Sequence, residues 1–222
     1  MGTLLASVLP LALGAAISPT LFALELLVLA GRRHRISRGW AVAGGAFAML
    51  VVYAVLGLTV FGHFTKHHGH SITDAAIDLA AALLLALLAI RSMQRRPTAA
   101  EGHRQRSTGR MADASTLSFA GIGAGAMLLN FSTVVLFFAA LHEIAHSTVT
   151  TTAKVGVGIV LMAIVLLPVL VPLFLAIGLG HRADPILSRV NEFVGRHSRQ
   201  ITAGIEVLFA ALLIWKGIGE LI

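Results

Sequence analysis

The residues His142, Glu143 and His146, spelled "HEIAH" over 142–146, are the part of the chain that reads most directly as chemistry. Two histidines four apart share one face of a helix, and the glutamate between them can act as general base on a metal-bound water. That is the spelling of a zinc protease. His67 and His68, flanked by His63 and His70, are a second set of imidazoles. Three carboxyl groups, Glu25, Asp78 and Glu206, stand inside long apolar runs. Two polar triplets, Ser18-Pro19-Thr20 and Asn130-Phe131-Ser132, interrupt such runs. What each can do depends on the elements that hold it.

Of 222 residues, 57% are hydrophobic and 12% are charged. A soluble domain carries about twice that charged share. There is no cysteine, which excludes disulfides, thiolate metal sites and thiol redox chemistry. The net charge is +7, but the basic residues fall in short stretches between apolar runs. That pattern orients a membrane protein and argues against a nucleic-acid partner.

A membrane span needs roughly 20 mostly apolar residues. Six segments qualify, at about 3–30, 39–62, 72–91, 117–141, 155–180 and 201–219. The first lacks the basic start of a cleaved signal and is too long for one, so it reads as a retained helix. Lipid cannot satisfy a free backbone, so every span should be helical. The stretches after spans one, three and five hold all the arginines, from Arg32 to Arg199, while the opposite side receives only Lys66, Lys154 and Lys216. Positive charge gathers on the cytoplasmic side. The expectation is an all-α polytopic protein of the bacterial inner membrane, with both termini outside.

Three spans precede a polar, arginine-rich stretch at 92–116, and three follow it. The expected division is a first repeat at 1–91, a flexible cytoplasmic connector at 92–116 and a second repeat at 117–222. An odd number of spans per half inverts one half against the other, a 3+3 inverted repeat of the kind many secondary transporters use. Within the second half, Asp184 and Pro185 suit an N-cap and first helical turn. Apolar residues then recur at helical spacing among arginines over about 184–199. This reads as an amphipathic helix on the inner membrane surface, the plainer alternative being a solvated loop helix.

The two triplets fall near the middles of spans one and four and match as polar, other, hydroxyl. A proline in mid-helix frees a carbonyl that nearby hydroxyls can satisfy. Broken helices at mid-membrane are where such transporters bind substrate, so Ser18, Pro19, Thr20, Asn130 and Ser132 are the candidate substrate site. The plainer alternative is a packing kink in one span and a lone interhelical hydrogen bond in the other.

The stretches "GAAISPTLFALELLVLAGRRHRISRGWAVAGG", "MLLNFSTVVLFFAAL" and "LPVLVPLFLAIGLGHRADPILSRVNEFVGRHSRQI" resemble the glycolipid-addressing (GAP, Sap-like) family of actinobacteria. That family belongs to the lysine-exporter (LysE) superfamily. The resemblance implies a six-helix transporter that exports a cell-envelope glycolipid or related metabolite. In the superfamily the second half often carries Asn-Pro. Here Phe131 follows Asn130, so the second break has no proline behind it.

A carboxyl group in hydrocarbon faces a cavity or a partner. Glu25 lies seven residues before Arg32 and Glu206 seven after Arg199, which sets both roughly 10 Å inside the cytoplasmic boundary at the rise of a helix. A carboxyl group that gains and loses a proton there is what proton-coupled export needs. The alternative is that each anchors its helix by pairing with an arginine. Asp78 is the third candidate coupling carboxyl group, its plainer reading being an acid that complements its helix dipole. Pro168 and Pro172 should kink span five. Gly121 with Gly125, and Gly44, Gly45, Gly156 and Gly158, are small residues that let membrane helices approach closely.

On this orientation His142 and His146 lie at the outer end of span four, on the same side as His67 and His68. Three readings stand: an intramembrane metalloprotease, with Asp78 the nearest third ligand in a span; a divalent-metal transporter with an outer histidine collar; and a polar or pH-sensitive rim, which is favoured. Zinc is the one cofactor in view, and the favoured reading needs none. The expected partners are membrane lipids and a glycolipid or small-metabolite substrate, with room for a homodimer.

Overall fold

The computed structural model describes residues 2–31, 34–64, 72–94 and 115–219. Among the described residues the regular structure is helical, with no strand. In chain order the helices are α1 (Gly2–Ala16), α2 (Pro19–Leu29), α3 (Arg35–Phe64), α4 (Ile72–Gln94), α5 (Thr116–Leu128), α6 (Phe131–His146), α7 (Thr151–Val165), α8 (Leu167–Leu179) and α9 (Asp184–Gly219).

Among the described residues, Arg35–Phe61 and Thr151–Leu179 are each long and apolar enough to cross a membrane, and the number reaches five when each bent pair of helices is taken as one span. The stretch Leu79–Arg91 of α4 is apolar as well. Large side chains such as Val55, Leu83, Ile159 and Phe174 point outward. Water would not tolerate so much exposed apolar surface, and lipid favours it. The chain is a membrane protein. Span five is interrupted for one residue at Leu166, just before Pro168, which then sits in the first turn of α8 where its missing N–H costs nothing.

The core is built where the helices face one another: Leu50 of α3, Leu85 of α4, Met127 of α5, Phe137 of α6 and Leu161 of α7 are fully buried. α3 packs along α5, α4 along α9, α1 along α6 and α7, and α2 against α8 and α9. α3 and α5 touch backbone to backbone. A Cβ at Gly45 would collide with the Ala120 carbonyl, and one at Gly123 with the Val42 carbonyl. Gly45 makes the close approach expected from small-residue spacing, and the rest of that expectation is corrected. Gly121, Gly125, Gly44 and Gly158 face open space, because the side of α5 that meets α3 is the one carrying Gly123.

α9 bends by 59° between Asp184–Ser198 and Gln200–Trp215. Its first part buries Leu187 with Leu26 and Leu29 of α2 and leaves Ile186, Val190 and Phe193 exposed as a stripe. Its second part sets the Phe209 ring directly over Gly14 of α1. The helix therefore runs antiparallel to α1 and α2.

Candidate functional site

Both polar triplets sit at helix breaks. The α1–α2 pair bends by 51° and the α5–α6 pair by 72°. The first break follows from Pro19. In an unbroken helix the Ala15 carbonyl would accept from residue 19, which as proline has no N–H. Thr133 of α6 supplies the missing donor, its Oγ1 donating to the Ala15 carbonyl at 2.8 Å in a buried contact. Ser18 caps α2, with its Oγ accepting from the Leu21 N–H at 3.3 Å. At the second break Asn130 takes the N-cap position of α6, but its side chain makes no capping bond. The carboxamide instead reaches across, Nδ2 donating to Ser18 Oγ at 2.6 Å, while Oδ1 accepts from Ser132 at 3.3 Å.

The N-termini of α2 and α6 thus meet through one hydrogen bond between their caps. Helix N-termini carry partial positive charge and unpaired N–H groups. Two such ends brought together favour an anionic or hydrogen-bond-accepting group nearby. Beside them lies a cavity of about 550 Å³, lined on one side by Thr20 and Leu24 and on the other by Ile122, Gly125 and Asn130. Its walls are mostly apolar, with polar groups concentrated at the break and at Asn191 of α9. All five residues of the predicted substrate site are thereby located: Ser18, Asn130 and Ser132 form one hydrogen-bonded chain, Pro19 breaks the helix, and Thr20 faces the cavity.

Glu25 of α2 is completely buried, and neither carboxyl oxygen has a hydrogen-bond partner among the described residues. Gly39 of α3 makes room for it, since a Cβ there would stand 2.5 Å from Glu25 Oε1. Leu29 and Leu173 flank the same spot. Glu206 is also buried. It lies one turn before Phe209, so the antiparallel course of α9 brings it to the level of the α1–α2 break. Asp78 lies on α4, but its side chain is outside the described set.

His142 and His146 lie together in the last two turns of α6. His142 is 2% exposed, with its ring 5.2 Å from Phe61 and 4.2 Å from His146. α6 continues through His146, longer than the apolar run suggested, and Phe61 of α3 packs against His142. Among the described residues no group of three or more His, Cys, Asp or Glu is placed to hold a metal ion. His67 and His68 lie outside the described residues. The pair alone falls short of the three protein ligands a catalytic zinc takes.

Sequence reasoning missed Thr133, Asn191 and the pairing of Arg35 with Asp184. Thr133 stands next to the polar triplet but one position beyond it. Asn191 was hidden inside the amphipathic segment. Arg35 and Asp184 form an ion pair at 2.9 Å although 149 positions apart. Only the proline carried a sequence signal for Thr133, because an orphaned carbonyl demands a donor from somewhere.

In comparison with known proteins, the family described as "Sap, sulfolipid-1-addressing protein" matches residues 8–219. No curated protein and no solved structure matches the chain. The matched length takes in both helix breaks, the cavity beside them and both buried glutamates. The likeness to Sap-like glycolipid-addressing proteins read from the sequence is thereby established, and the chain belongs to the Sap, sulfolipid-1-addressing protein, family.

Proposed function

We propose that the protein is a secondary transporter of the bacterial inner membrane that exports a cell-envelope lipid, glycolipid or related metabolite. The observation that carries this reading is the Asn130–Ser18 hydrogen bond, which joins two broken helices at one point beside a cavity. A rigid membrane anchor has no use for two interrupted helices meeting at their positive ends. A carrier uses them to hold a polar substrate group in the middle of the bilayer.

The chain crosses six times on this reading, as two inverted halves with both termini outside. The helix pairing supports it. Span two (α3) pairs with span four (α5), span one (α1–α2) with span five (α7–α8), and span three (α4) with span six (α9). Exchanging the two halves leaves that set of pairs unchanged, as a pseudo-two-fold axis requires. The cargo's polar group docks where the α2 and α6 N-termini meet, with Thr20 and Asn130 as first contacts. Glu25 and Glu206 take up and release protons as the halves rock, so that export runs on the proton gradient. The histidine pair has no part in this cycle.

The direct test compares envelope lipids of cells with and without the protein. A lipid retained in the inner membrane in its absence, and retained again with Asn130→Ala, is the expected result. Identical profiles in all three strains would rule the reading out. Reporter fusions near Arg104 should report the cytoplasm, and an external report there would end the inverted arrangement.

A further inference from the structure

A second cavity, of about 660 Å³, opens on a different face of α2. Leu26, Leu29 and Leu187 line its apolar part, and His34, Arg35 and Asp184 its polar part. Asn191 borders this cavity and also the one beside the helix breaks, so it stands where the two adjoin. The Arg35–Asp184 ion pair spans the polar part and ties the start of α3 to the start of α9. Its members are unequal. The Arg35 side chain is 19% exposed and set into the wall, whereas Asp184 is 52% exposed and half in water. His34 turns the chain into α3 through a left-handed backbone, φ 52°, unusual for a residue with a side chain.

We propose that this cavity receives the anionic head group of a membrane lipid, that Arg35 is the residue that binds it, and that Asp184 is a built-in competitor which the head group displaces. A half-exposed carboxylate is a weak partner for arginine. A sulfate or phosphate ester offers the guanidinium two parallel charge-assisted hydrogen bonds. The head group therefore takes Arg35, Asp184 swings to water, and the tie between α3 and α9 is released. In this first stage the lipid's chain lies past Asn191 along the apolar wall of the neighbouring cavity, and the head group reaches the helix breaks only in the later transport step. The exposed stripe of Ile186, Val190 and Phe193 rests in the bilayer interface and holds the cavity mouth at head-group depth. This inference deepens the transport reading and rests on it for the cargo's onward path, but binding is measured apart from transport.

The test uses the full-length protein in phosphatidylcholine nanodiscs. The probes are a fluorescent lipid with a phosphate or sulfate monoester head group and its choline-headed twin. Saturable binding of the anionic probe is expected, with Arg35→Gln weakening it about tenfold. Asp184→Asn should tighten it, because the competitor loses its charge. A clasp that is only structural predicts the opposite sign, so equal weakening by both substitutions would overturn the proposal. Equal affinity for the choline-headed probe would overturn it too. Displacement of the probe by inorganic sulfate or phosphate as tightly as by the lipid would reassign the cavity to a free anion. Should Arg35→Gln not fold, Asn191→Phe serves: it should weaken a long-chain probe and spare a short-chain one, and equal effects would refute the two-cavity path. Unchanged envelope lipids in cells without the protein, with Arg35-dependent binding intact, would count against the transport reading alone.

Discussion

Thr133 Oγ1 donates to the Ala15 carbonyl at 2.8 Å, making the hydrogen bond that Pro19 cannot make. A proline in one half is thus compensated by a hydroxyl in the other. Thr133→Val keeps the shape and removes the donor, leaving a buried carbonyl unsatisfied at a cost of about 1–3 kcal/mol. Pro19→Ala restores a backbone donor to the same carbonyl. Thr133→Val should therefore destabilise the native chain more than it destabilises the Pro19→Ala chain, as read by thermal unfolding in detergent. Equal losses in both backgrounds would show that the two residues are not coupled.

The bond between Asn130 and Ser18 should appear as a coupling in a double-mutant cycle of Asn130→Ala and Ser18→Ala. Interhelical hydrogen bonds in membranes average about 0.6 kcal/mol and reach about 1.7 kcal/mol. The short, part-buried geometry favours the upper half of that range. Ser18→Ala alone should cost about 1 kcal/mol more, because it also uncaps α2. Strict additivity of the two substitutions would remove the link between the halves.

Glu25 gives a dissociation between stability and activity. A fully buried carboxyl group whose oxygens have no hydrogen-bond partner among the described residues is costly to desolvate. Glu25→Gln should leave the melting temperature unchanged or raise it, while abolishing proton-driven export in sealed vesicles. Full export with an unaltered pH profile would take Glu25 out of the mechanism.

Gly45 and Gly123 should be the least replaceable glycines tested by packing. Gly45→Val or Gly123→Val drives a side chain into backbone and should cost about 3 kcal/mol or more, seen as loss of folded protein on expression. Gly121→Ala and Gly125→Ala meet open space and should be tolerated. Comparable yields from all four variants would contradict the α3–α5 contact.

Much of this was legible before any coordinates. Apolar length announces helices, and Pro19 announces a break, because both are local properties of the chain. The second break carried only the polar triplet at Asn130 and no proline, and it bends more sharply than the first. What was not legible depends on rotation and on distance along the chain. Spacing alone offered Gly121 and Gly125, but which face of α5 meets α3 is decided by packing, and that face carries Gly123. His142 reads as a surface residue if the helix ends where the apolar run ends. The helix runs one turn further and buries it against Phe61. The partnership of Arg35 with Asp184 belongs to two segments with no local signal pointing from one to the other.

The contact of Gly45 with Ala120 and of Gly123 with Val42 constrains how the molecule can move. Where main chain rests on main chain, no side chain can hop to a new rotamer and let one helix ratchet along its neighbour. Sliding would drive Val42 and Ala120 into whatever residue comes next. Rotation about the line of touch leaves both fits intact. On the proposed transport cycle, α3 and α5 are therefore the fulcrum about which the two halves turn.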